Sequence, residues 1–254
     1  MRTFATCAPF YDALTAHHDY EDLTDTLERL LETHGHPGTR LLDVACGTGK
    51  SFLPFLARGY ELTACDVSAE MLDRARTKSG DAVRLLLADM RDLPDIDRFD
   101  IVTCIDEPLN YLLEREDVAA CFRSLARNLR PGGLLLFDLN TLHAFQTIFA
   151  RDECYEQEGW LFVWRGHGHA DAQPGVRSGF TIEAFVEGEP DAWTRLSNQH
   201  LQRHYPMSEV RGLLGDAGLE TLGIYGMSPD GALDALPDES RHTKVFYVAQ
   251  RWQG

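Results

Sequence analysis

The segment Leu41-Leu42-Asp43-Val44-Ala45-Cys46-Gly47-Thr48-Gly49-Lys50-Ser51 carries the strongest chemical signal in the chain. An apolar run ends in Gly47-Thr48-Gly49 and leads toward a helix start, which turns backbone N–H groups and a positive dipole end toward a bound group. A phosphate-cradling P-loop also ends in Gly-Lys-Ser, but its leading glycine would fall at Val44, so that reading fails on spacing. A dinucleotide fingerprint takes Gly47 and Gly49 and then meets Phe52 where its third glycine belongs. Other reactive groups are scattered. His167 with His169, and His200 with His204, have spacings a metal ion can use, yet no third ligand completes either pattern and no metal site is expected. The six cysteines form no Cys-x-x-Cys pair, and Cys46, Cys65 and Cys104 close apolar runs as core fillers do, which reads as a reduced, cytoplasmic protein.

The elements that must position the loop follow from periodicity. Tyr20, Leu23, Leu27, Leu30 and Leu31 recur at helical spacing, predicting an amphipathic helix over roughly 19–34 that stops at Gly35-His36-Pro37-Gly38. RLLDVAC, YELTACD, AVRLLLAD, FDIVTCID and LLLFDLN then read as buried strands. Between them lie KSFLPFLARG as a helix or lid, SAEMLDRARTKSG as a helix capped by Ser68 and closed by Gly80, and a helix over 116–129 with Val118, Phe122, Leu125 and Leu129 on one face. This rhythm implies a parallel sheet covered on both faces. After about residue 150 the aromatic runs 160–167, 178–188 and 192–205 suggest a small antiparallel sheet. A helix in SEVRGLLGDAG, strands in LETLGIYG and KVFYVAQR, and an acidic loop over 226–240 return the chain to the core.

Composition narrows the partners. The 254 residues are 44% apolar and 25% charged, which excludes a disordered polymer and suffices for a substantial core. The 24 basic against 40 acidic residues give a formal net charge of −16, which disfavours nucleic acid and anionic membrane as partners and suits a cationic or amine-bearing small molecule. No run approaches the ~18 apolar residues of a membrane span, and the opening MRTFATCAPFYDAL makes no signal-peptide core.

With these motifs in place, the chain resembles the class I S-adenosylmethionine-dependent methyltransferases. Their first motif stands here as Leu42-Asp43-Val44-Ala45-Cys46-Gly47-Thr48-Gly49. CDVSAEML (65–72) is similar to the segment whose acidic residue receives ribose hydroxyls, and LLADMRDLP (86–94) to the adenine-contacting stretch. FDIVTCIDEPLNYL (99–112) and LRPGGLLLFDLNT (129–141) resemble the fourth and fifth motifs. The resemblance implies an α/β, seven-stranded doubly wound (Rossmann-like) sheet with an antiparallel β insertion and an N-terminal helical lid. Its parts would be a lid over 1–36, a cofactor core over 37–150, an acceptor-side insertion over 151–205 and a return to the core over 206–254. The cofactor would be S-adenosyl-L-methionine, held by Tyr20, Ala45, Gly47, Gly49, Asp66, Val67, Met71, Asp89, Met90 and Ile105. Asp66 would accept from the ribose and Asp89 from the adenine amino group, with Met90 and Ile105 walling the ring. Asp43 has two readings, direct contact or a brace for the loop.

Methyl transfer is an in-line displacement on a sulfonium that orientation can drive to a large extent. Acceptor-side groups belong outside the carboxyl ends of the strands or on the N-terminal segment, which singles out Tyr11, His17, His18, Tyr20, Glu107, Asn110, Tyr111, Asn140 and His143. Tyr11 and Tyr20 resemble tyrosines that close over the cofactor, although Tyr20 equally fits the buried stripe of its helix. Glu107 stands where a carboxylate could bind an ammonium or take its proton, and His18 is a second candidate base. Tyr11, Glu107 and His18 are therefore the catalytic candidates. The Asp/Asn-Pro-Pro-Tyr/Phe motif of nucleic-acid amino-methyltransferases does not match Asp106-Glu107-Pro108-Leu109. The expected reaction is methylation of a small-molecule amine, such as an amino sugar or another intermediate of antibiotic or secondary metabolism. O-methylation and non-catalytic cofactor binding are the alternatives. The aromatic insertion reads mainly as sheet core and could also support a homo-oligomer.

Overall fold

The computed structural model describes residues 2–188, 192–228 and 231–253, so Pro229 and Asp230 of the 226–240 loop lie outside the described residues. Five strands form the parallel part of one sheet: β1 (Arg40–Val44), β2 (Glu61–Asp66), β3 (Arg84–Leu87), β4 (Phe99–Cys104) and β5 (Leu129–Asn140). β1 pairs with both β2 and β4, so the chain winds outward from β1 in one direction and then restarts on its other side. That reversal opens a crevice between the carboxyl ends of β1 and β4, the place where open α/β sheets bind ligands. The C-terminal part adds β10 (Leu219–Met227) and β12 (Lys244–Arg251), with β12 inserted antiparallel between β5 and β10. The expected seven strands are therefore present, and a two-residue edge strand, β11 (Leu233–Asp234), from the acidic loop is an eighth.

Alternation along the buried strands sends side chains into two cores. Leu42, Val44, Val102, Cys104, Leu135 and Phe137 meet α5 (Arg115–Asn128) and α7 (Met207–Asp216) on one face. Leu41, Ala64, Ile101, Leu134 and Leu136 meet α2 (Tyr20–Thr33), the five-residue α3 (Leu53–Ala57) and α4 (Ala69–Ser79) on the other. The helix starts carry the expected chemistry: Ser68 accepts from Met71 N, and Asp19 accepts from Glu21 N and Asp22 N. Leu129, assigned above to the face of α5, instead opens β5.

A separate four-stranded antiparallel sheet follows α6 (Leu142–Thr147): β6 (Asp152–Gln157), β7 (Trp160–Gly166), β8 (Arg177–Glu187) and β9 (Trp193–Arg203), in that spatial order. β6 escapes sequence reading because its residues are mostly exposed and charged. The sheet buries Phe162, Phe180, Ile182 and Ala184 against Cys7, Ala8 and Phe10 of α1 (Arg2–Leu14) and Phe145 and Phe149 beside α6. α1 was likewise not legible as a helix, since Pro9 stands inside it and its stability comes from this packing. Trp164 stacks on Phe180 at 3.6 Å within the same layer. Among the described residues no helix is long and apolar enough to cross a membrane.

β8 and β9 approach so closely at Gly179 that a Cβ there would lie 2.0 Å from the His200 carbonyl oxygen. Gly179→Ala is expected to cost about 1–3 kcal/mol of stability, as overpacking of a close contact does, with a lowered melting temperature by calorimetry. An unchanged melt would mean that this strand pair separates without penalty.

Candidate active site

The loop after β1 turns through the left-handed region at Ala45 (φ 60°), Gly47 (φ 54°) and Gly49 (φ 87°). Asp66, at the end of β2, ties it down: Oδ2 accepts from Gly47 N at 2.8 Å and Oδ1 from Ser68 N at 2.9 Å. Burial pushes the Asp66 carboxyl above its usual range against these backbone bonds. Asp43 is the brace of the two readings, through side chains rather than N–H groups, since it accepts from Ser51 Oγ and Thr103 Oγ1, both at 2.7 Å. Lys50, the residue a P-loop would aim at a phosphate, instead donates to the Thr15 carbonyl at 2.7 Å and to Thr15 Oγ1 at 3.0 Å. Thr48 Oγ1 donates to Asp12 at 2.6 Å, so the N-terminal segment is stapled over the loop.

A cavity of about 840 Å³ runs from this loop to the insertion sheet. Ala45, Gly47, Asp66, Val67, Met71, Asp89, Met90 and Ile105 line its sheet end, with Tyr11 and Tyr20 above. At Gly47 a Cβ would have only Tyr11 Cε1 near it, at 3.8 Å, so the glycine leaves open space under the tyrosine. Gly49 corrects the sequence expectation. Its Cβ would lie 2.6 Å from the Phe52 ring and 3.2 Å from Ala75, so it faces the packing of α3 and α4 and does not line the cavity. Asp89 lines the cavity while its carboxylate is clamped by Arg91, with the shortest contact at 2.6 Å.

Two of the three catalytic candidates stand elsewhere. Asp106 and Glu107 both adopt left-handed backbone (φ 68° and 55°), which rotates Glu107 away from the cavity and Asp106 into it. Glu107 Oε1 lies 2.6 Å from Lys244 Nζ, which is also 2.9 Å from Asp138 Oδ2 and 3.5 Å from Asp106 Oδ1. Burial raises the Glu107 carboxyl to about 7 against the pull of Lys244. At Asp106 burial is outweighed by Lys244, and the carboxyl stays below its usual range while accepting from Tyr20 Oη at 2.8 Å. These three carboxylates are the one metal-type cluster among the described residues, and the lysine ammonium supplies the charge that a cation would. His18, the other candidate, is exposed in the turn between α1 and α2 and does not line the cavity. Tyr11 does line it, and burial holds its hydroxyl well above the ordinary value.

The insertion supplies the far wall: His167, Arg177, Ser178, Phe180 and His200, with Phe4 and Tyr111 beside them. Of the other acceptor-side candidates, Asn110 and Asn140 are scaffold, Asn110 donating to the Arg203 carbonyl at 2.8 Å and accepting from Asn140 N at 2.9 Å. His17 and His143 do not line the cavity. Tyr205 is core, and His204 is buried with Nε2 3.5 Å from Glu239. The aromatic insertion is mainly sheet core as expected, with Phe180 the residue that also reaches the cavity. Sequence reasoning passed over Asp106, although it adjoins Glu107 in the same motif, and it passed over Phe4, Arg177 and Ser178, which carry no local signal.

A doubly wound sheet with a glycine-turned crevice, a carboxylate after each of its second, third and fourth strands and a β insertion over the opening defines a class of cofactor-dependent transferases. A methyltransferase domain model matches residues 41–133. The putative methyltransferase YqeM of Bacillus subtilis is 31% identical over 96% of this chain and 95% of its own length. A dTDP-3-amino-3,4,6-trideoxy-alpha-D-glucopyranose N,N-dimethyltransferase of Streptomyces venezuelae is 31% identical over 84% of this chain and 88% of its own. Among solved structures, an S-adenosylmethionine-dependent methyltransferase from Clostridium acetobutylicum superposes with a TM-score of 0.81 at 21% identity, covering 96% of both chains. The chain belongs to the S-adenosylmethionine-dependent methyltransferase family.

The Lys244 cluster generates a prediction. Lys244→Met leaves the buried Asp138 and the half-buried Asp106 and Glu107 without their cation, and a loss of about 3–5 kcal/mol is expected in denaturant unfolding at neutral pH. The deficit shrinks on acidification toward about pH 5. Carboxyls whose folded pKa has risen above the unfolded value bind protons preferentially in the folded state, and stability rises as pH falls. A deficit that grows on acidification would show that the carboxylates are neutralised by something other than Lys244.

Proposed function

We propose that this chain methylates the amine nitrogen of a small molecule. S-adenosylmethionine supplies an electrophilic methyl carbon when bound. The residues present fit that group: Gly47 leaves the space a Cβ would fill, Asp66 offers a buried carboxylate for hydroxyls, and Val67, Met71, Met90 and Ile105 offer apolar surface for a ring. Tyr11 and Tyr20, held down by the Lys50 and Thr48 staple, exclude water from the opening.

The observation that carries nitrogen over oxygen is the inventory of bases on the cavity wall. A hydroxyl acceptor must lose its proton as it attacks, whereas a neutral amine attacks through a lone pair it already has. Burial lowers His200 to about 4, so it is a weak base. Burial raises Tyr11, Tyr20 and Tyr111, so all three stay protonated. Asp106 is held ionised and is weaker still, while His167, on the insertion wall, spends Nε2 on Thr181 Oγ1 at 2.8 Å and retains Nδ1. Asp106 and Tyr20 therefore orient an amine rather than deprotonate an alcohol. The N,N-dimethyltransferase among the relatives supports the same reading.

Incubation with methyl-labelled cofactor and matched amines and alcohols tests it. Label is expected on nitrogen, with kcat/KM rising with pH along the acceptor amine's own titration, because no wall group takes the proton. Label on alcohols alone would overturn it. Asp66→Ala is expected to weaken adenosylhomocysteine by about 1–3 kcal/mol in titration calorimetry, and unchanged affinity would remove Asp66 from the cofactor end.

A further inference from the structure

Among the described residues, two polar atoms on the insertion side of the cavity have no hydrogen-bond partner: Ser178 Oγ and His200 Nε2. Their residues are 6% and 7% exposed, so neither atom is satisfied by open solvent. The β8–β9 register pairs Ser178 with Gln202 and Phe180 with His200, which puts Ser178 and His200 diagonally on one face of the sheet. The imidazole is fixed in place. Phe180 stacks on it at 4.6 Å with the planes 14° apart, and its Nδ1 lies 2.8 Å from Tyr111 Oη.

The neighbouring side chains decide where the imidazole proton sits. Asn140 Nδ2 donates to Gln202 Oε1 at 2.9 Å, which leaves the Gln202 amide to donate to the Tyr111 hydroxyl. With that donor on its oxygen, Tyr111 has its own proton to give to His200 Nδ1, 2.8 Å away, an arrangement that requires the imidazole proton on Nε2. Arg177, a cation of this wall, is ion-paired with Glu114 at 2.8 Å, with both side chains about half exposed. Tyr111 also joins the wall to the other end, since it lines the same cavity as Tyr11, Tyr20 and Asp106.

Resting on the N-methylation reading above, we propose that His200, with Ser178 beside it, sets acceptor specificity by donating from Nε2–H to an uncharged oxygen near the reacting nitrogen. Asn140, Gln202 and Tyr111 are positioning residues that hold the donor tautomer. The acceptor is accordingly an amine with a neighbouring hydroxyl or carbonyl oxygen, rather than a plain alkylamine.

The test uses trans-vicinal aminocyclohexanol and cyclohexylamine, which differ by one hydroxyl, with the full-length enzyme. On the adenosylhomocysteine-loaded protein, calorimetry is expected to show about tenfold tighter binding of the amino alcohol, the size of one net hydrogen bond. His200→Phe, which keeps the stack on Phe180, is expected to bring the ratio to about one while adenosylhomocysteine affinity stays unchanged. Nitrogen-detected NMR of labelled histidine is expected to show the Nε2–H tautomer of His200 in the wild type, and Tyr111→Phe to mix the tautomers. Equal binding of the two probes, no binding of the amino alcohol, a preference that survives in His200→Phe, or an Nδ1–H tautomer would each overturn the proposal. Methyl transfer to the hydroxyl with the preference intact would instead overturn N-methylation and leave the role of His200 standing.

Discussion

The bond from Gly47 N to the Asp66 carboxylate joins the tip of β1 to the tip of β2, and the geometry of the cavity depends on it. It acts on the loop at Gly47, whose left-handed backbone glycine adopts at little cost, and is joined by the Cys46 N to Cys65 carbonyl bond at 3.0 Å. With it, the backbone at Gly47 is drawn aside and the crevice between β1 and β4 stays open beneath Tyr11. The same carboxylate holds Ser68 N and so fixes the start of α4, whose first turn delivers Met71 to the cavity. One buried acid thus sets a loop, a helix entry and an apolar contact, and its raised proton affinity reflects how far it has been taken from water.

A second constraint arrives from the far end of the chain. β12 pairs antiparallel with β5 so that Lys244 lies opposite Asn140, two residues beyond Asp138. That register carries the ammonium to Asp106, Glu107 and Asp138 together, and it lets two consecutive residues with unfavourable backbone persist after β4. Glu107 is spent inside this cluster, whereas Asp106 keeps one oxygen for Tyr20 and faces the cavity. The last strand of the sheet therefore does more than close an edge. It permits an ionised carboxylate to stand on the cavity wall beside Tyr20.

What could be read from the sequence follows from how each residue is placed. Regular alternation made the strands legible, and the resemblance of the motifs at their tips pointed to Asp66, Val67, Asp89 and Ile105, which line the cavity. Alternation fails where the backbone turns left-handed. Gly47 and Gly49 look equivalent in sequence, yet one faces the cavity and the other the Phe52 ring. Asp106 and Glu107 exchange the orientations that an extended chain would give them. β6 and α1 lacked a periodic signal because their packing is supplied by the rest of the insertion layer. The far wall was least legible. Ser178 and Phe180 gain their position only when a separate sheet docks on α1 and α6, a tertiary event with no local trace.

The two ends of the cavity consequently answer to different parts of the chain. Strand tips of the doubly wound sheet, where backbone is rigid and offsets are constrained, shape the end that receives the cofactor. The insertion, attached through α6 and a third core of its own, shapes the opposite wall, where the proposed reading seats the acceptor. Its β8 and β9 present alternate residues inward, so a substitution at Ser178, Phe180 or His200 alters the acceptor wall without touching the Gly47 turn or the Lys244 cluster. The polar chain from Asn140 through Gln202 and Tyr111 to His200 is the link between the two. It starts at the tip of β5 and ends on the insertion sheet, so in the proposed reading the acceptor wall is referred to the same framework as the Gly47 turn. Such a shared reference is what an in-line displacement requires, because its rate depends on the relative placement of two groups held by separate layers.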